Sequence, residues 1–254
     1  MNAVWIARNT FREATRDRVM VGVIVAGLVL LAATQIMSPL ALGEGVRLTV
    51  DVGLSGISLL GVLVVVMVGT SLVSKEIERR TIFNLLSRPI ARAEYLLGKW
   101  IGLTGALWVV AGGLSVALWL LLALRGHGAQ GPSILEAAYL AGLELTVISA
   151  CAVLFSSLST PVLSALYTLG LFAVGQWSYD LREFAAHLPA PLGTLLATTA
   201  NLVPNLPLFN MRTLAASGQT TTLPHLAIAT AYAVLYGGCV LGLAAAAFES
   251  RDFK

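Results

Sequence analysis

Two glutamates stand where an apolar chain least favours them. Glu144 falls about ten residues into a long apolar run, and Glu136 lies about two helical turns before it on a roughly similar face. A carboxylate at that depth in a membrane is costly and marks a functional position by default. Two roles fit Glu144, with Glu136 as its neighbour. It can line a substrate path or a contact between subunits, or it can be a protonated acid that hydrogen-bonds an adjacent helix. A nucleophile pattern is also present. Gly53-Leu54-Ser55-Gly56 spells G-x-S-G, and His225 opens a later apolar run. A serine nucleophile needs a base within hydrogen-bond reach, so Ser55 with His225 would make an intramembrane serine protease. The pattern has only three fixed letters, and glycine and serine are common in membrane helices for close packing. His127 and His187 have no partner at ligand spacing, so no metal site is assigned. Cys151 and Cys239 fall inside apolar runs and read as small packing residues. Gly98-Lys99-Trp100 lacks the upstream glycine and the following Ser or Thr of a phosphate loop. No catalytic, cofactor-binding or metal-binding residue is expected in this chain.

The elements that would carry these groups follow from composition. The chain has 254 residues, of which 57% are hydrophobic and 11% charged, and its mean hydropathy is +0.84. A soluble domain carries about 25% charge, so this is a membrane protein. A helical crossing needs about 20 apolar residues. Charge-free runs of that kind predict an all-α, polytopic fold, one transmembrane domain over residues 1–254 with six transmembrane helices at 19–37, 53–73, 101–124, 134–157, 162–179 and 226–248. The fourth and fifth share one charge-free stretch, which breaks at Ser156 to Pro161. A seventh apolar stretch, Phe184 to Met211, is divided by Pro189, Pro191, Pro204 and Pro207, and its longest proline-free piece is Leu192 to Val203. Pieces of about 10–14 residues read as re-entrant or interfacial helices. Residues 180–224 are therefore expected to form a long outer loop that lies on or dips into the membrane.

Sidedness follows from the cations. With six crossings, one side holds Arg8, Arg12, Arg16, Arg18, Lys75, Arg79, Arg80, Arg88, Arg92, Lys99, Arg251 and Lys254; the other holds only Arg47, Arg125, Arg182 and Arg212. Lys and Arg gather on the cytoplasmic side of short loops, so both termini face the cytoplasm, in a multi-pass protein of the inner (cytoplasmic) membrane. The net charge of +3 is this bias and calls for no nucleic-acid partner. Residues 1–18 read as an amphipathic helix lying on the inner leaflet. Val4, Ala7, Phe11 and Ala14 form its apolar stripe, Arg8, Arg12 and Arg16 its basic one, and Trp5 suits the interface.

The charged segment at residues 74–93 is the other cytoplasmic feature. Ile82, Leu85 and Leu86 share a helical face, Glu76, Glu78, Arg79 and Arg80 occupy much of the remainder, and Pro89 ends the helix. A solvated connector needs only a few residues. This segment spends about twenty and presents an apolar face with no crossing of its own to cover, which fits a docking surface for a cytoplasmic partner.

The stretch "SKEIERRTIFNLLSRPIARAEYLLGKW" resembles the cytoplasmic loop of type-2 ABC exporter permeases. Its Glu76, Glu78, Thr81, Ile82, Leu85, Leu86, Ser87, Pro89, Arg92, Glu94, Tyr95, Gly98 and Lys99 stand where that family has its coupling helix and the entry into span three. "WIARNTFREATRDRV" resembles the family's N-terminal elbow helix, carried by Trp5, Arg8, Phe11 and Arg12. "LVPNLPLFNMR" and "FESRDF" are similar to segments of the branch that includes the permease of nitrous-oxide-reductase maturation. The resemblance implies a permease subunit of an ATP-driven exporter. It also implies a homodimer, or a heterodimer with a related permease, and two cytoplasmic ABC ATPase subunits that carry the ATP and magnesium. Coupling would run through Glu76, Glu78, Arg80, Thr81, Ile82, Phe83, Leu85, Leu86, Ser87 and Pro89. A permease-like subunit that transmits force or a signal and moves no substrate is the alternative within the same frame.

Overall fold

The computed structural model describes residues 2–72, 92–189 and 191–249. The described residues are helical, with no strand among them. An apolar chain in lipid must satisfy its backbone internally, and the helix does so one segment at a time. Helix α1 (Asn2–Arg16) ends at Asp17, whose side chain accepts from the backbone N–H of Val19 at 2.9 Å and caps α2 (Arg18–Met37). Gly43, at φ 100°, turns the chain into α3 (Gly45–Val64). That helix runs on as a π turn over Val65–Gly69, where the Thr70 N–H reaches back to the Val65 carbonyl at 3.2 Å. Then come α4 (Arg92–Leu124), α5 (Gly131–Leu158) and α6 (Pro161–Gln176). Two short helices, α7 (Ser178–Ala186) and α8 (Leu192–Leu202), lead through a 3₁₀ turn at Leu206–Phe209 to α9 (Arg212–Ala216). The long α10 (Leu223–Glu249) follows.

Five segments are long and apolar enough to cross a membrane: Arg18–Ala41, Gly45–Gly69, Ala93–Leu124, Gly128–Leu158 and Leu223–Phe248. The chain is therefore a multi-pass membrane protein. The sixth expected crossing, 162–179, coincides with α6, which has only 16 residues. At 1.5 Å per residue that is about 24 Å, against a hydrocarbon core of about 30 Å. Two helices start earlier than the charge-free runs that announced them. α3 carries Arg47 and Asp51 on its first turns, and α4 carries Glu94 and Lys99. Helix ends are set by caps, glycine and proline, and not by where the last charge stands.

The bundle is organised around α5. In its apolar window 78% of residues are buried, against 28% for α2 and for α10, so α5 is the centre and those two are the rim. The amphipathic helix α1 packs along the first half of α4. Gly98 and Gly102 of α4 make this possible: a Cβ at Gly98 would stand 2.8 Å from the Ala3 carbonyl oxygen, and one at Gly102 would stand 2.4 Å from that of Ala7. Phe11 covers Gly105. This corrects the expected stripe. Ile6, Ala7, Thr10, Phe11 and Ala14 face the bundle, whereas Val4 is 73% exposed beside Trp5. The Arg8 guanidinium lies 5.9 Å from the Trp5 ring, and Arg12 is exposed.

Candidate functional site

Glu144 lies 13 residues after the first residue of α5, or about 20 Å along the axis, and is 4% exposed. A carboxylate there must find donors, because an unsatisfied one is among the most costly groups to bury. It has two. Ser58 Oγ of α3 donates to Oε2 at 2.6 Å, and Gln176 Nε2, at the last residue of α6, donates to Oε1 at 2.5 Å. One side chain thus joins three helices. A cation, Arg212, the first residue of α9, joins them through the same face of α3. The Arg212 guanidinium donates to Ser55 Oγ at 3.2 Å. Ser55 and Ser58 are three residues apart, so they share one face of α3. The cluster is therefore Ser55, Ser58, Glu144, Gln176 and Arg212, drawn from α3, α5, α6 and α9.

Arg212 reaches the cluster because the chain between α7 and α10 enters the bundle. Leu206, Phe209, Ala215 and Ala216 are buried, and Leu206 lies over Gly175 of α6, where a Cβ would meet it at 2.8 Å. Proline explains why the segment is not one helix: Pro204 and Pro207 each remove a donor and block continuation. Irregular backbone inside a membrane protein needs partners from other elements, and α5 and α10 supply them. Tyr232 Oη accepts from the Asn205 N–H at 2.9 Å, and the Tyr236 hydroxyl donates to the Leu202 carbonyl at 3.0 Å. His225 Nε2 bonds the Leu208 carbonyl at 3.1 Å, and Glu136 Oε2 accepts from the Thr221 N–H at 2.7 Å.

These contacts place the sequence candidates. Glu144 and Glu136 do not work as a pair: Glu136 holds the chain leading into α10, and Glu144 holds α3 and α6. Ser55 and His225 do not form a nucleophile–base pair. Ser55 takes its hydrogen bond from Arg212, and the ring of His225 is engaged by a backbone carbonyl. The tryptophans divide as well. Trp100 and Trp108 both donate to Thr146, to its carbonyl at 3.3 Å and to its hydroxyl at 3.0 Å, and so clamp α4 to α5. Trp177 is exposed. On the far flank of α5 a cavity of about 420 Å³ opens between α4, α5 and α10, lined among others by Leu97, Trp100, Thr146, Val234 and Gly238. The ten residues assigned to coupling, Glu76, Glu78, Arg80, Thr81, Ile82, Phe83, Leu85, Leu86, Ser87 and Pro89, lie outside the described residues.

A bundle of long apolar helices around a satisfied buried carboxylate fits a membrane transport component. Comparison with family models decides which: the model of the ABC-2 family transporter protein matches residues 4–252. The chain belongs to the ABC-2 transporter family. It is a membrane-embedded permease subunit of an ABC transporter, a kind that typically pairs with ABC ATPase subunits. Comparison with curated proteins gave no match. Two contacts of this ABC-2 chain escaped the sequence reading, which took Arg212 as an outer cation at the end of a family-like segment and Gly98 as part of the loop motif, and did not single out Gly102. The second had a signal: Gly98-x-x-x-Gly102 is the small-residue spacing that lets two helices approach.

Proposed function

We propose that this chain is the membrane subunit of an ATP-driven exporter. Two copies, or one copy with a related permease, would work with two cytoplasmic ABC ATPases that bind the ATP and magnesium. The family match over nearly the whole chain carries the reading. The charged segment at residues 74–93, which joins α3 to α4, supplies the docking surface. ATPase closure acts on its apolar face through Thr81, Phe83 and the neighbouring residues, and the movement enters the bundle along α3 and α4. The segments Leu202 to Arg212 and Phe248 to Phe253 support a place near the permease of nitrous-oxide-reductase maturation.

Six crossings fit this function better than five. If α6 did not cross, α10 would end on the other side and take Arg251 and Lys254 with it, against the cation bias. A short helix can cross where the bilayer thins or where protein covers its end. The inserted segment covers the end of α6 at Gly175, and Glu144 holds the side chain of Gln176. Both termini then face the cytoplasm of a cell whose inner membrane holds the transporter, and residues 180–224 cap the exit of the path. The Ser55–Arg212 and His225–Leu208 bonds count against the protease reading.

The test is isolation of the tagged chain from its own membrane in mild detergent. A stoichiometric ABC ATPase should come with it and be lost in Thr81→Asp with Phe83→Asp. Recovery of the chain alone would sink the exporter reading. An ATPase whose hydrolysis drives no cargo across reconstituted vesicles would favour the force-transmitting alternative.

A further inference from the structure

Between Phe184 and Phe248 the sequence has one Lys, Arg, Asp or Glu, and it is Arg212. Between Glu136 and Asp180 it has one as well, and that is Glu144. The fold brings these two isolated charges to one face of α3, Glu144 buried and Arg212 half-buried. Each is costly alone at membrane depth, and each offsets the cost of the other. The remaining ties of the inserted segment are different in kind. Tyr232 and His225 bond its backbone at Asn205 and Leu208 from α10, and Tyr236 bonds the Leu202 carbonyl just before it. Among the described residues Arg212 makes the polar tie from this segment to α3, against which α9 also packs, and Ser55 and Ser58 of α3 bind Arg212 and Glu144 one turn apart. The same helix leads, through its π turn at Val65–Gly69, into the charged segment at residues 74–93. A shift or rotation of α3 therefore displaces both serines at once.

We propose that Ser55, Glu144 and Arg212 form a latch that holds residues 204–216 in the bundle at rest. Movement of α3 releases the latch, so that the outer end of the path opens by withdrawal of this segment. The proposal rests on the exporter reading for its purpose, but its structural content can be tested without ATP or cargo. Ala215 reports the state of the segment. It is 2% exposed, and a small thiol there reacts only when the segment lifts. Asn210, exposed on the same segment, gives the reaction rate of an open position.

The experiment uses the full chain in sealed membrane vesicles with its outer face exposed, together with any subunits that accompany it. Cys151→Ala and Cys239→Ala remove the native thiols, Ala215→Cys supplies the reporter, and a membrane-impermeant maleimide is the probe. At rest Ala215→Cys should label far more slowly than Asn210→Cys in the same background. Glu144→Gln keeps side chains of similar size at the cluster and removes the charge, and Arg212→Gln does the same from the other side. Each should speed labelling of Ala215→Cys by about tenfold or more, since each leaves the other charge of the cluster without its counter-charge. The double variant should label no faster than the faster single one, because both remove the same interaction. Unchanged labelling, or two effects that multiply, would overturn the latch. Ala150→Cys, fully buried on α5, must stay protected in every variant. Its exposure would show general loosening and would also count against the proposal. Absence of an ATPase from the preparation bears on the exporter reading and leaves these rates interpretable.

Discussion

The helix α1 and the inserted segment 204–216 are both peripheral pieces of chain fastened to the same bundle, and they are fastened by opposite means. α1 is a complete helix, so its backbone is satisfied before it docks. It needs only close approach, which Gly98 and Gly102 allow by leaving out two side chains. The Thr10 hydroxyl is buried in this contact with no hydrogen-bond partner among the described residues. The inserted segment is broken by prolines and cannot satisfy itself. Tyr232 and His225 hold its backbone, Tyr236 and Glu136 hold the chain on either side of it at Leu202 and Thr221, and one charge, Arg212, ties it to α3. Dispersion over a smooth face makes a permanent attachment. A few discrete polar bonds make one that can be exchanged for others as the helices move.

Substitutions can break this contrast, and the largest effect belongs to the glycine contact. Gly102→Val puts a branched side chain where a single Cβ already lies 2.4 Å from a carbonyl oxygen. It should cost about 3 kcal/mol, seen as a lower midpoint of thermal unfolding in detergent and as proteolysis within α1. A variant as stable as the parent would mean that α1 is held by something other than backbone approach.

Next in size is the polar cluster. Glu144→Leu strands the donors of Ser58 and Gln176 and removes the charge, and should cost about 2.5 kcal/mol, whereas Glu144→Gln, which removes the charge but still accepts a hydrogen bond, should cost about 1.5 kcal/mol. Equal losses in the two variants would show that packing, and not hydrogen bonding, is what Glu144 contributes.

Tyr232→Phe removes one bond to the inserted segment and should cost about 1 kcal/mol. Its effect should be local: faster hydrogen exchange at the Asn205 amide, with the unfolding midpoint nearly unchanged. A global loss of stability would contradict the view of this segment as separately releasable. The smallest effect is expected at Gly112 and Gly113, on the exposed face of α4, where an added Cβ meets nothing within 4 Å. Gly112→Ala should change stability by less than about 0.5 kcal/mol. That result would sharpen the contrast with Gly102 on the same helix.

Much of the helical layout was legible because a bilayer asks one simple question of every twenty residues. Runs free of charge announced α2, α3, α4, α5 and α10, and Pro161 announced the turn before α6. The same rule overran the end of α6. Its length had been read from the charge-free run up to Tyr179, but the helix ends at Gln176, where the chain turns at Trp177. Glu144 was legible too, since depth alone singles out a carboxylate. Its partners were not. Ser58 is 86 residues away in sequence and Gln176 is 32, and no spacing rule connects them. The stripe on α1 was misassigned at Val4 because an apolar residue on an amphipathic helix can face the bundle or away from it, and periodicity does not say which.

Composition and pattern dictate that the chain lives in a membrane as a helical bundle, because backbone amides cannot be left bare in hydrocarbon. They also dictate that one deep carboxylate must find donors. Tertiary structure alone decides which donors it finds, and that a lone arginine from a proline-broken segment stands beside them. Those contacts join residues far apart in the chain, and their energy exists only once α3, α5, α6 and α9 have packed.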